Sequence, residues 1–106
     1  MTIKFDDKVV IVTGAGGGLG KSHALEFARR GAKVVVNDLG GSVDGSGGAS
    51  DAANAVVEEI KAEGGEAIAN GASVADQSGV QNMIDEVMSK WGRIDILVNN
   101  AGIPVS

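Results

Sequence analysis

The stretch Val9-Val10-Ile11-Val12-Thr13-Gly14-Ala15-Gly16-Gly17-Gly18-Leu19-Gly20 decides the fold. Four β-branched residues, Val9 to Val12, form a short apolar run suited to a buried strand. Thr13 and Gly14 end it, and four of the next six residues are glycine. The helix-forming run KSHALEFARR follows at once. A strand, a glycine turn and a helix start in this order make an anion seat. The bare Cα atoms let backbone approach phosphate oxygens, and the unpaired N–H groups of the first helical turn point at them. A tight turn that binds nothing would also use glycine, so the surrounding sequence has to discriminate.

It does so through Lys33–Asn37, KVVVN, a second strand with Asp38 at its end. Asp38 lies 18 residues past Gly20, near the spacing of a carboxylate that accepts hydrogen bonds from the adenosine ribose of a dinucleotide. A carboxylate there repels a 2′-phosphate, and neither the glycine turn nor the residues just after Asp38 include Lys or Arg. This favours NAD over NADP. The competing reading of Asp38 is an aspartate capping local N–H groups at a loop entry.

Outward from this unit the pattern repeats. Helix one is expected over Leu19–Arg30, with Gly20, Ala24, Phe27, Ala28 and Gly31 on its inner face, Phe5 packed beneath it and Gly31 as a left-handed terminator. His23 falls off that face and reads as a surface histidine. Leu39–Ser50 is a polar, glycine-rich connection. Asp44 and Asp51 are too few for a calcium loop. Helix two, Asp51–Glu63, carries the stripe Ala53, Val56, Val57 and Ile60, and Gly64-Gly65 stops it. Strand three is Glu66–Asn70. Helix three, capped by Asp76 or Ser78 and ended by Gly92, is expected to bury Val80, Met83, Ile84, Val87, Met88 and Trp91. Strand four is Ile94–Val98, a continuous apolar run of the kind covered on both faces.

Strands alternating with helices predict an α/β fold with a parallel sheet, because short right-handed crossovers permit little else. The doubly wound order 3-2-1-4 places Gly14–Gly20, Asp38, Ser73-Val74 and Asn99–Gly102 on one carboxyl edge, where a ligand binds at the reversal of strand order.

Composition narrows the partners. A length of 106 residues, with 43% hydrophobic and 22% charged residues, predicts a single small domain. The net charge of −5 and the lack of a basic cluster argue against nucleic acid. No cysteine is present, so neither disulfides nor a thiol nucleophile enter. No apolar run is long enough to span a bilayer, and the amino terminus, MTIKFDDK, has no apolar leader core. The expectation is a soluble intracellular protein, cytoplasmic by default, with no metal.

Thr13-Gly14-Ala15-Gly16-Gly17-Gly18-Leu19-Gly20 resembles the TGxxxGxG signature of the short-chain dehydrogenase/reductase family, and Asn99-Asn100-Ala101-Gly102 resembles its NNAG signature after strand four. The resemblance covers the whole chain and implies a Rossmann-type sheet and an NAD-dependent oxidoreductase acting on a secondary alcohol or ketone. NDLGG, the glycine-rich loop and VVEEIKAEGGEAIAN are more narrowly similar to the (3R)-hydroxyacyl-CoA dehydrogenase unit of peroxisomal multifunctional proteins and their bacterial relatives.

By this resemblance Gly14, Gly16, Gly18, Leu19 and Gly20 surround the pyrophosphate and reach toward the nicotinamide, while Asp38 holds the adenosine ribose. Ser73 and Val74 stand against the adenine, with Ser where the wider family has Asp. Asn99, Asn100, Ala101 and Gly102 lie along the ribose or serve as a purely structural turn.

The family's catalytic Ser and its Tyr-x-x-x-Lys lie downstream of strand five. This sequence ends at Ser106 and contains no Tyr. The chain is therefore expected to be the incomplete, amino-terminal half of the domain, inactive alone. Its apolar fourth strand would sit at a sheet edge, to be covered in a homo-oligomer or by a carboxyl-terminal half. Two other readings are a non-catalytic dinucleotide-binding module and a methyltransferase, the latter leaving Asn99–Gly102 unexplained.

Overall fold

β1 (Val9–Thr13) is buried along its whole length, as its unbroken β-branched run requires. It forms the middle of a sheet in a computed structural model that describes residues 4–38, 51–72 and 76–100. Along the chain follow α1 (Gly18–Arg29), β2 (Lys33–Asn37), α2 (Asp51–Ala62), β3 (Glu66–Asn70), α3 (Gln77–Trp91) and β4 (Ile96–Val98). The sheet order is β3-β2-β1-β4, and every pairing is parallel. This is the α/β, doubly wound order that the sequence predicts.

The register sorts side chains to two faces, because successive strand residues point in opposite directions. Val10, Val12, Val34 and Val36 face α1 and α2, and pack on Ala24, Ala53, Val56, Val57 and Ile60. Val9, Ile11 and Val35 face α3 and pack on Met83 and Val87. The predicted stripe of α2 is buried at all four positions. Phe5 meets Phe27 edge to face with ring centroids 5.1 Å apart, which seats the lead-in under α1. At the far end of α3, Trp91 Nε1 donates to Glu66 Oε2 (2.7 Å) and ties the helix to the start of β3.

Three expectations need correction. β4 spans Ile96–Val98 rather than Ile94–Val98, and is not covered on both faces: Leu97 is 46% exposed. The shortening comes from Asp95, whose side-chain Oδ2 takes the Val9 N–H (2.8 Å) while its own N–H donates to the Val9 carbonyl (2.9 Å). Met88 is 46% exposed instead of buried, since the face of α3 turned to the sheet is centred on Met83 and Val87. Gly31 is exposed rather than on the inner face. Its left-handed φ of 98° turns the chain out of α1 toward β2, the terminating role the sequence assigns it. Asp76 rather than Ser78 caps α3, accepting the Ser78 N–H at 3.1 Å.

Candidate functional site

The carboxyl ends of β1, β2, β3 and β4 meet on one edge, and the glycine turn lies at its centre between β1 and α1. The turn is held on one side by β2: the Ala15 N–H donates to the Asn37 carbonyl (2.9 Å). On the other side it is held by the turn after β4. Thr13, fully buried at the end of β1, accepts the Asn100 N–H on Oγ1 (2.9 Å). The same hydroxyl donates toward the Val98 carbonyl (3.3 Å) and Asn99 Oδ1 (3.2 Å), two acceptors sharing one proton.

Two glycines show how closely the parts approach. A Cβ at Gly16 would collide with Asp38 Oδ2, lie 2.7 Å from Asp38 Cγ and 3.0 Å from the Ala52 methyl. The Asp38 carboxylate thus rests on the bare Cα of the turn, beside the first residues of α2. A Cβ at Gly20 would collide with the Gly14 carbonyl and lie 2.9 Å from Asn100 Nδ2. Only glycine lets the first turn of α1 pack onto the end of β1 with Asn100 alongside.

No side chain caps α1 and no acidic residue occupies its first turn, whereas α3 has its Asp76 cap. The first-turn N–H groups and the positive end of the α1 dipole face the edge, an arrangement suited to an external anion. Leu19, in that first turn, is 70% exposed and presents apolar surface beside the glycines.

The structure thus brings together Gly14, Gly16, Gly18, Leu19, Gly20, Asp38, Asn99 and Asn100. Ser73, Val74, Ala101 and Gly102 lie outside the described residues. Among the described residues no group of three or more His, Asp or Glu side chains could hold a metal, and no helix is long and apolar enough to cross a membrane. A cleft of about 500 Å³ opens at the opposite, amino edge among Asp6, Arg29, Lys33, Glu63 and Glu66, remote from the glycine turn.

Two further residues of this edge are absent from the sequence reading. Asn37 and Asn70 end β2 and β3 at the same register position and hydrogen-bond to each other. The available signal was a pair of amides closing two strands with apolar middles, KVVVN and EAIAN. Asparagine there reads first as a turn former.

The sequence profile of the short chain dehydrogenase family matches residues 8–106. The chain is 62% identical over 103 residues to peroxisomal multifunctional enzyme A of Dictyostelium discoideum, covering 97% of this chain and 23% of that protein. A short chain dehydrogenase from Mycobacterium avium superposes with a TM-score of 0.83 at 55% identity, over 92% of this chain and 34% of that one. A 7α-hydroxysteroid dehydrogenase complexed with NADH and 7-oxo glycochenodeoxycholic acid superposes with a TM-score of 0.77 at 42% identity, over 91% and 34%. The chain spans under a quarter of the length of the curated relatives it matches first. With its glycine turn, its parallel 3-2-1-4 sheet and a profile match over nearly its full length, the chain belongs to the short chain dehydrogenase family.

Proposed function

We propose that these residues are the NAD-binding portion of a dehydrogenase that interconverts a secondary alcohol and a ketone, with a 3-hydroxyacyl-CoA as substrate. The observation that carries this reading is the Asp38 carboxylate resting on Gly16, at the mouth of an uncapped α1. A dinucleotide fits there: its pyrophosphate takes the N–H groups of the glycine turn, and its adenosine ribose hydroxyls donate to Asp38. Gly14, Gly16, Gly18 and Gly20 provide the close approach, and Leu19 offers apolar surface toward the nicotinamide. Ser73 and Val74 are assigned to the adenine, and Asn99, Asn100, Ala101 and Gly102 to the ribose side. When bound, the nicotinamide supplies or accepts the hydride.

The substrate class is supported by the similarity to peroxisomal multifunctional enzymes, among them a hydratase-dehydrogenase-epimerase of Saccharomyces cerevisiae at 55% identity. The same similarity, to relatives named as peroxisomal, supports a peroxisomal setting. These 106 residues contain no Tyr, so the family's proton-transferring tyrosine is not among them. Their role is to bind and orient the dinucleotide.

The test is a calorimetric titration with NAD and NADP. NAD is expected to bind at least about tenfold more tightly, because a 2′-phosphate would face the Asp38 carboxylate. Asp38→Ala is expected to narrow that ratio. Equal affinities in the parent chain, or tighter NADP, would overturn the assignment. The polypeptide of these residues is also expected to give no NADH signal with 3-hydroxyacyl thioesters. Turnover in a preparation free of other dehydrogenases would refute the division of labour.

A further inference from the structure

Asn37 is 2% exposed at the end of a strand of valines. A buried amide is costly unless its hydrogen bonds are made, and a valine would continue the strand without that demand. The amide is retained in a specific arrangement. Asn37 Nδ2 donates to Asn70 Oδ1 (2.9 Å) and to the Ala72 carbonyl (3.0 Å), with the Asn70 carbonyl at 3.4 Å. The Ala72 N–H donates back to Asn70 Oδ1 (2.9 Å), and Asn70 Nδ2 donates to Glu86 Oε1 on α3 (2.9 Å). Backbone carbonyls and carboxylates only accept and N–H groups only donate, so both amides have one orientation each.

The main chains of the same two residues extend the frame. The Asn37 carbonyl accepts the Ala15 N–H of the glycine turn, and the Asp38 N–H donates to the Asn70 carbonyl (3.0 Å). Two asparagines therefore join the glycine turn, the residue carrying the candidate ribose carboxylate, the segment leaving β3, and α3. Asn37 precedes Asp38 directly, and Ala72 precedes Ser73 directly.

The geometry points to Asn37 and Asn70 as a positioning pair for the adenosine half of the ligand. They fix the main chain at Asp38 and the main chain at Ala72 relative to each other, so that the Asp38 carboxylate keeps its place at the ends of β2 and β3. Neither amide needs to touch the ligand; the pair acts through Asp38. This rests on the reading of the edge as a dinucleotide seat.

The test uses NAD, 5′-AMP and nicotinamide mononucleotide as separate probes in calorimetry, with the melting midpoint recorded for each variant. Asn70→Ala is expected to weaken NAD and AMP together by about tenfold, the scale of one or two neutral hydrogen bonds, and to leave nicotinamide mononucleotide unchanged. Asn70→Asp alone sets a carboxylate against Glu86 and is also expected to bind AMP poorly. Asn70→Asp combined with Glu86→Gln rebuilds the same bonds with donor and acceptor exchanged across the last one. It is expected to return AMP to within about twofold of the parent. Should Asn70→Ala fail to fold, Glu86→Ala on the exposed side of α3 reads the same frame, with a smaller loss confined to NAD and AMP. Unchanged AMP affinity in Asn70→Ala, an equal loss on both half-ligands, or no recovery in the double variant would overturn the pair's role. A parent chain that binds neither NAD nor AMP would instead overturn the dinucleotide reading, and the positioning pair with it.

Discussion

A methyl group at Gly20 would meet the Gly14 carbonyl and the Asn100 amide at once. Backbone cannot yield there as a flexible side chain would, so Gly20→Ala is expected to lower stability by about 1–3 kcal/mol, read from the denaturant midpoint. Gly17 is the useful contrast. Its backbone is extended and nothing lies within 4 Å of the place a Cβ would take. Gly17→Ala is expected to leave the midpoint unchanged and to weaken NAD by up to about tenfold by crowding the phosphates alone. Thr13→Val is expected to cost about 1–3 kcal/mol, because it strands the Asn100 N–H. At this scale the sequence was legible where chemistry leaves a spacing, as with Asp38 after the glycine turn. It was not legible for Asn37 and Asn70, whose meaning lies in a register shared by two strands.

Among the elements, α2 buries its periodic stripe at every predicted position, whereas α3 fully buries only Met83 and Val87 of its stripe and α1 only Gly20 and Ala24. Asp76→Ala, which removes the α3 cap, is expected to cost about 0.5–2 kcal/mol. The run IDILV, apolar but for Asp95, was not divided correctly from sequence, since the decisive contact is the Asp95 side chain replacing a ladder bond. Arg93 grips Asp95 through Nε to Oδ2 (2.8 Å) and Nη2 to Oδ1 (2.7 Å), while Oδ2 also takes the Val9 N–H. The Arg93 hydrogen bonds first, and the Val9 N–H second, hold the Asp95 carboxyl below its ordinary value of 3.8. A depressed carboxyl favours the folded state above its unfolded value, and that contribution is lost as pH falls through the folded value. Asp95→Asn is therefore expected to flatten the acid limb of the stability curve below about pH 4 and to change its slope little near neutrality, as checked by urea melts across pH.

For the whole molecule, alternating elements and right-handed crossovers dictated the order β3-β2-β1-β4, and this was the most legible feature of all. What covers the fourth strand was not legible. β4 stands at the sheet edge with Leu97 half exposed on the face that α3 shares. An apolar edge is a template for another strand, so the polypeptide of these residues is expected to self-associate. Sedimentation should give a mass that rises with concentration, and Leu97→Lys should hold it monomeric at micromolar concentration. The parallel register also sets an order of events in time. β1 pairs with β2 across 24 residues, Val9 to Lys33, but with β4 across 86, Val10 to Ile96. Closing the longer loop costs about 1 kcal/mol more in chain entropy, and the strand it delivers is only three residues long. The glycine turn and Asp38 are therefore expected to come together early, and Asn99 and Asn100 to seat last. During refolding, pulse-labelled amides of β1 and β2 should be protected before those of residues 97–98, so that the turn after β4 joins the edge only once the glycine turn has formed.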